Sequence, residues 1–369
     1  MNSRVTKIKD ITAFLENLAP LAYQESYDNA GLLLGDPSAE VARVLVSLDV
    51  TEAIVQEAIN RQCELIVAHH PIIFKGLKKL TGASYVERTV IQAIRGNVSI
   101  YASHTNLDHV VGGVNSRLAS MLGLEKVRVL SPRRQTLSKL VSFVPVADTS
   151  RVLNALYEAG AGQVGNYKNC SFRSKGTGTF QPNEQASPHV GTALVQEEVN
   201  ENRIELIFPS HLQHQVLRAL RQAHPYEEVA YYLSTLENAN QEVGAGMIGE
   251  LSQTMPERDF LLFVKDALQL SCIRHTEWLG REVKTVAVCG GAGHFLLGDA
   301  IRQQADVLVT ADFKYHEFFD AEQKILIADI GHYESEVHTK NLISAYLSEN
   351  FANIAVILSS TVTNPVKYL

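Results

Sequence analysis

The chain has 369 residues, 46% of them hydrophobic and 20% charged, with a formal net charge of -7. That length calls for two or three domains, each able to bury a core, and the composition excludes a disordered chain. No apolar run approaches the ~18 residues needed to cross a bilayer, and an acidic balance without a Lys/Arg run argues against a general nucleic-acid binder.

Met1 to Lys7 leads straight into an amphipathic helix pattern with Ile11, Phe14, Leu15 and Leu18 on one side, so no secretory signal is expected. Cys63, Cys170, Cys272 and Cys289 are scattered without a CxxC pair. A cytoplasmic, reduced protein with structural cysteines is the expectation.

Residues 43 to 70 read as strand (Val44 to Val50), helix (Glu52 to Arg61), strand (Leu65 to Ala68) and then His69-His70. Val98 to Ala102 reads as another buried strand, followed by Ser103-His104-Thr105-Asn106-Leu107-Asp108. Residues 284 to 312 repeat the first plan: strand (Val286 to Cys289), Gly290-Gly291-Ala292-Gly293, helix (Phe295 to Gln303), strand (Val307 to Thr310) and Ala311-Asp312. Ile325 to Ala328 then leads into Gly331-His332-Tyr333-Glu334-Ser335-Glu336. Residues 57 to 67 lie over 299 to 309 without a gap, and His104 with Asp108 matches His332 with Glu336. These spans predict an α/β fold of two pseudo-twofold-related halves forming one main domain, over 1–126 and 241–369.

Between them, 127–240 has a different rhythm. Leu140 to Pro145 precedes a helix with Val152, Leu153, Ala155 and Leu156, and Ile204 to Pro209 precedes one with Val216, Leu217, Ala219 and Leu220. Strand-helix-strand twice predicts an inserted ferredoxin-like α+β module. Its Gly/Ser/Pro-rich stretch Ser174 to Val190 reads as a long loop.

The polar clusters all follow apolar runs, so they sit at strand exits, where open α/β sheets bind ligands. Two adjacent histidines, an aspartate and a His/Glu pair at i,i+4 suit a shell for two divalent ions. Imidazole with carboxylate fits Zn, Fe, Mn or Ni, and the lack of thiolate argues against a closed structural zinc site. In a helix starting near Gly331, His332 and Glu336 share a face. Asp312 and His316 are proton-transfer candidates, with a helix-capping Asp and a packed His as the structural reading. The turn Gly290 to Gly293 can either cradle a phosphate or permit tight strand-helix packing. Lys75, Lys78 and Lys79 form a local basic patch suited to an anionic group.

With Asp28-Asn29-Ala30-Gly31-Leu32, Gly244-Ala245-Gly246, Ala223-His224-Pro225-Tyr226-Glu227-Glu228 and Thr310 to His316 added to these motifs, the whole chain resembles the GTP cyclohydrolase 1 type 2 homologues, or Ngg-interacting-factor-3-like family. The resemblance is to its long form, with a PII-like or CutA-like insert. It implies a dinuclear metal site of His69, His70, Asp108, His332 and Glu336, and a toroidal homohexamer built from dimers or trimers. It leaves His104 outside the metal shell, in a catalytic or positioning role.

Two functions are expected from these residues. The first is a metal-dependent hydrolase of a nucleotide-like or phosphorylated small molecule, because a divalent metal can bring bound water to a pKa near ~7 and two metals stabilise attacking and leaving oxygens. There His104 or His316 shuttles the proton. The second is a non-catalytic, metal-dependent scaffold or regulator whose inserted module senses a small ligand. Fold alone decides neither.

Overall fold

The computed structural model describes residues 5–369, so the opening Met1 to Arg4 lies outside them. The strands are β1 (Gly31–Leu34), β2 (Arg43–Ser47), β3 (Leu65–Ala68), β4 (Ser99–Ala102) and β5 (Glu125–Arg133), then β6 (Leu137–Pro145), β7 (Phe172–Phe180), β8 (Glu197–Pro209) and β9 (Tyr231–Leu236). They continue with β10 (Asn240–Pro256), β11 (Arg274–His275), β12 (Glu282–Ala292), β13 (Val307–Ala311), β14 (Leu326–Asp329) and β15 (Ala355–Leu358). The chain divides into two compact units. One runs to Ser131 and resumes at Val243, and the other is Pro132–Glu242.

The first unit holds two sheets, in the orders β1-β4-β3-β2-β15 and β11-β14-β13-β12-β10-β5. Both are built round parallel strands, β2-β3-β4 and β12-β13-β14. Central parallel strands are covered on both faces and therefore read as unbroken apolar runs. Leu65 to Ala68 is wholly buried for this reason, as is Val307 to Ala311. Alternate side chains feed separate cores. Leu65, Val67 and Tyr101 pack with Ile8, Ile11 and Leu347, whereas Ile66, Ile100 and Leu45 pack with Ile54, Val55 and Val90. Truncating one of these, such as Leu65→Ala, should cost about 2–5 kcal/mol.

The connecting helices start where their caps allow. Thr51 Oγ1 accepts the Ile54 N–H at 3.3 Å ahead of the helix Glu52–Asn60, and Ser84 Oγ accepts the Glu87 N–H at 3.2 Å ahead of Tyr85–Arg95. Each crossover returns the chain in parallel, so the polar residues after β2, β3 and β4 leave the sheet at one edge. The same holds for β12, β13 and β14. The predicted helix Phe295 to Gln303 is shorter, a 3-10 turn over His294–Leu296 followed by Leu297–Arg302.

The second unit runs β6, helix Thr149–Glu158, β7, β8, helix Gln213–Ala223, β9, in sheet order β7-β8-β6-β9. Leu140, Val144, Ile204, Leu206 and Phe208 bury against Val152, Leu156, Val216 and Leu220 of the helices. The expected long loop over Ser174 to Val190 is corrected in its first part. Ser174 to Phe180 belongs to β7, whose pairing with β8 runs from Phe172↔Glu205 to Phe180↔Glu197. Gly176 and Gly178 suggest a loop by composition, but both lie inside this ladder.

Among the described residues, no helix is long and apolar enough to cross a membrane.

Candidate metal centre

His69 and His70 follow β3 directly, and a regular strand would send them to opposite faces. Here both backbone N–H groups donate to one acceptor, the Leu48 carbonyl, at 3.1 and 2.9 Å. The chain curls at the strand exit, and the two rings end 4.9 Å apart. His69 Nδ1 lies 2.8 Å from the Ser103 carbonyl, and His70 Nδ1 lies 2.7 Å from Asp49 Oδ1. Both partners can only accept, so each Nδ1 carries a proton and each Nε2 is turned inward, toward Asp108 or Glu336, where it can ligate once it carries no proton of its own.

His104 and Asp108 come from the turn after β4. Asp28 accepts from His104 Nδ1 at 2.7 Å, from the Thr105 N–H at 3.0 Å and from the Thr105 hydroxyl. These bonds anchor the short helix Thr105–Asp108 and hold the Asp28 carboxyl down at about 2 despite its burial. Burial lowers His104 below the usual imidazole value, against the pull of Asp28, so the ring is neutral at pH 7.

His332 and Glu336 share a face of the helix His332–Glu336, with Nε2 and Oε2 3.1 Å apart. Asp312, after β13, accepts from His332 Nδ1 at 2.7 Å. Asp312 reaches it from a left-handed backbone, φ +60°, a conformation Asp tolerates better than most residues. The glycine turn decides between the two readings of Gly290 to Gly293. A Cβ at Gly291, where φ is +62°, would fall on Glu336 Oε1, and one at Gly290 would crowd Glu336 Cγ. The Gly290 and Gly291 amides already donate to Asn115 Oδ1 and Ser335 Oγ, at 2.8 and 2.9 Å. Close packing explains this turn, which has these two amides engaged by protein side chains.

Two sets of ligating atoms thus meet at Glu336. Oε2 lies 2.9 Å from His70 Nε2, and His70 Nε2 lies 3.4 Å from His332 Nε2. Oε1 lies 3.9 Å from His69 Nε2, itself 3.7 Å from Asp108 Oδ1. His69 Nε2 and Asp108 Oδ1 are buried without a hydrogen-bond partner, an arrangement that a cation between them relieves. His69, Asp108 and Glu336 form one group able to hold a metal ion, and His70, His332 and Glu336 form another. His104 joins His69 and His70 in a third grouping. The donor set, imidazole with carboxylate, fits a borderline divalent ion.

The electrostatics agree with such a role. Burial alone would lower His70, but the Asp49 and Glu336 carboxylates raise it to about 9. His332 rises to about 11, with Asp312 and Glu336 outweighing burial. Burial pushes Asp108 up to about 7. Glu336 stays well below the carboxylate range in spite of burial, because three imidazoles face it. Burial pushes the Cys289 thiol far up, so this nearby sulfur is protonated rather than a thiolate.

The cluster lines a cavity of about 1100 Å³, walled by aromatic side chains including Tyr27, Phe74 and Phe295, and by the C-terminal stretch Thr363 to Val366. His104 lines this cavity, and His316 does not. His316 is exposed, its ring against Tyr315 and Phe319 at 5.1 and 6.4 Å, because the turn after β13 leads it away. Lys75, Lys78 and Lys79 are also exposed and outside the lining, which draws its guanidinium from Arg274 instead. Sequence reasoning missed Asp49 as the partner of His70. Its position at the exit of the neighbouring strand was the available signal.

Fold and site together define an α/β protein whose first unit pairs two sheets with a largely buried His/carboxylate cluster able to hold metal. The profile of the Duf34/NIF3 (NGG1p interacting factor 3) family matches residues 6–365, and the chain belongs to that family. A GTP cyclohydrolase 1 type 2 homolog of Halalkalibacterium halodurans is 38% identical over 371 residues, 99% of this chain and 100% of its own. One from Bacillus subtilis is 37% identical over 367 residues, 98% of each chain. The crystal structure of a Bacillus cereus protein related to NIF3 superposes with a TM-score of 0.87 at 37% identity, covering 100% of both chains.

Proposed function

We propose that His69, His70, Asp108, His332 and Glu336 would hold two divalent cations, with Glu336 belonging to both groups of ligating atoms, and that the protein is a metal-dependent hydrolase of a small molecule. One observation carries this reading: the two carboxylate oxygens of Glu336 face two different sets of ligating atoms. Such a pair of cations supplies Lewis acidity and a water readily deprotonated at neutral pH. The chain's own residues supply the rest. Ser103, Asp49 and Asp312 fix the three imidazoles with Nε2 inward. His104, neutral and oriented by Asp28, accepts a proton at its free Nε2 and returns it to the leaving group. Arg274 and the aromatic walls orient a substrate that bears an anionic or carbonyl group and a planar body. A nucleotide-like molecule meets that description.

We also read the two sheets as pseudo-twofold-related halves, the second unit as an inserted ferredoxin-like module, and the assembly as a cytoplasmic toroidal homohexamer. The order β7-β8-β6-β9, with a helix after β6 and after β8, supports the module.

The test is elemental analysis of the natively purified protein together with turnover of nucleotide, phosphoester and cyclic-amide panels. Two equivalents of metal per chain, and a turnover that His104→Asn abolishes while metal is retained, are expected. Metal-loaded protein inert on every panel would remove the hydrolase and leave the second reading, a metal-dependent regulator whose second unit binds a small ligand. A separate cavity in that unit favours keeping it in view.

A further inference from the structure

The second unit carries a cavity of about 700 Å³ on the face of its sheet opposite the helices. Leu140, Val144, Ile204 and Leu206 point into the helical core, so the alternate residues Phe143 and Arg203, paired across β6 and β8, point the other way and line the cavity. Tyr232, Phe180 and Tyr226 add aromatic walls. Phe143 meets Tyr232 edge-on at 5.8 Å, and Phe180 meets Tyr226 at 6.0 Å.

A carboxylate sits among these rings. Glu201 is only 7% exposed and lines the cavity. Its carboxylate rests on Gly178, where a Cβ would collide with it, so the glycine in β7 keeps this place open. Among the described residues no Lys or Arg pairs with Glu201. Arg203 is held by Glu205 at 2.8 Å, and Lys175 is exposed. His224 offers no charge either. It donates from Nε2 to the Phe143 carbonyl at 2.9 Å and accepts the Tyr226 N–H on Nδ1 at 3.1 Å, which defines a neutral ring. The Tyr226 hydroxyl is buried beside Glu201 without a well-formed hydrogen bond. Buried carboxylates are ordinarily paired with a cation, whereas among the described residues this one faces the neutral Tyr226 hydroxyl and no Lys or Arg.

The motif Ala223 to Glu228, which the metal centre does not use, builds this site. His224 and the loop after it set Tyr226, and Glu227 Oε1 accepts the Ser187 N–H at 2.8 Å, tying down the segment that carries Pro188 and His189 over the cavity.

We propose that this cavity binds a small organic cation, its ammonium or guanidinium head held by the Glu201 carboxylate and the Tyr226 hydroxyl and flanked by the Phe180 and Tyr226 rings. A buried acid supplies the charge-assisted hydrogen bond, and the ring faces add cation–π attraction. The inference deepens the regulatory reading of the second unit and is independent of the metal centre.

The test titrates the full-length, metal-loaded chain with agmatine by calorimetry, using glutamate and inorganic phosphate as anionic controls. Agmatine should bind once per chain and the anions should not. Glu201→Gln should weaken agmatine by about 10-fold or more, as expected for loss of a charged hydrogen-bond partner. Tyr226→Phe should weaken it less, and Phe180→Ala supplies a further variant should Glu201→Gln fail to fold. Absence of agmatine binding, unchanged affinity in the two Glu201 and Tyr226 variants or in Phe180→Ala, or preference for the anions would overturn the site. Agmatine binding that leaves metal content and turnover untouched would support the site while removing the regulatory reading.

Discussion

The two sheets of the main unit share a core of three parallel strands but carry different side chains at the strand ends. β2 and β3 pair as Val44↔Leu65, Leu45↔Ile66 and Val46↔Val67, and β12 and β13 pair as Val286↔Val307, Ala287↔Leu308 and Val288↔Val309. The sequence repeat places Asp49 opposite Gly291 and His70 opposite Asp312. In the first sheet the strand exits give an acid that holds a ligand, Asp49 on His70. In the second the exit after β13 gives the holding acid itself, Asp312 on His332, and the C-terminal end of β12, at Gly290 and Gly291, gives an empty place for Glu336. An equivalent backbone position thus serves as ligand on one side and support on the other. The geometry of the exit is kept while the chemistry is divided.

Glu336→Gln should have the largest effect, because both sets share that residue. Neutralising it removes the charge that the His69, His70 and His332 imidazoles all face, and elemental analysis should show both metals lost together. Loss of one metal alone would separate the two sets and break the comparison at its centre. His332→Ala against its repeat counterpart His104→Ala sharpens it further. The first should lose one metal and the second neither, since His104 Nδ1 is engaged by Asp28 and the ring lies outside both Glu336 sets.

Proton competition comes next. In the metal-free protein His70 titrates at about 9 and His332 at about 11, both raised by carboxylates that outweigh burial. Both therefore carry protons at neutral pH, and a cation can use Nε2 only when that proton leaves. Metal affinity should rise with pH through this window and weaken on acidification. Each displaced proton contributes about a factor of 10 per pH unit, so chelator competition at pH 8 and pH 6 should differ by roughly 100-fold for each of the two imidazoles that ligates. A flat profile would mean these histidines do not ligate. Asp49→Asn and Asp312→Asn, which remove the supports on the two sides, should each cost about 10–100-fold in metal affinity. Both supports act on the His70/His332/Glu336 group, so unequal losses would show which imidazole contributes more to holding that ion.

Much of this site was legible because its signals are local. Buried runs such as Leu65 to Ala68 announce parallel strands, and the polar residues that follow must lie at their exits. The His332/Glu336 spacing needs only one helical turn. The supports were not legible, because a hydrogen bond between Asp49 and His70 spans two strands and leaves no periodic trace. His316 and Lys75 to Lys79 misled for the opposite reason. They follow site residues closely in sequence, His316 after Asp312 and Lys75 after His70, but the chain turns outward before reaching them. The C-terminal stretch that reaches the cavity has no pattern at all. It is placed by long-range bonds: Glu57 accepts from Ser359, Ser360 and Thr361 and is held at about 2 by them in spite of its burial, Thr363 donates to Asp49, and Asn364 donates to Glu334 at 2.9 Å.

The smallest expected effect tests the empty place in the second sheet. Gly291→Ala adds one methyl where φ is +62° and where that methyl would fall on Glu336 Oε1. The backbone term alone should cost about 1 kcal/mol or slightly more. Glu336 can relieve the collision by turning its carboxylate away from His69, which would leave Asp108 as the carboxylate facing that Nε2. Thermal unfolding should therefore fall by a few degrees while metal content drops first on the His69/Asp108 side, leaving about one equivalent. Gly82→Ala is a control with a similar left-handed backbone, φ +82°, away from the cluster. It should show the stability loss without the metal loss. Equal behaviour of the two variants would mean that Gly291 serves the turn alone, and that the second sheet does not reserve space for the bridging carboxylate.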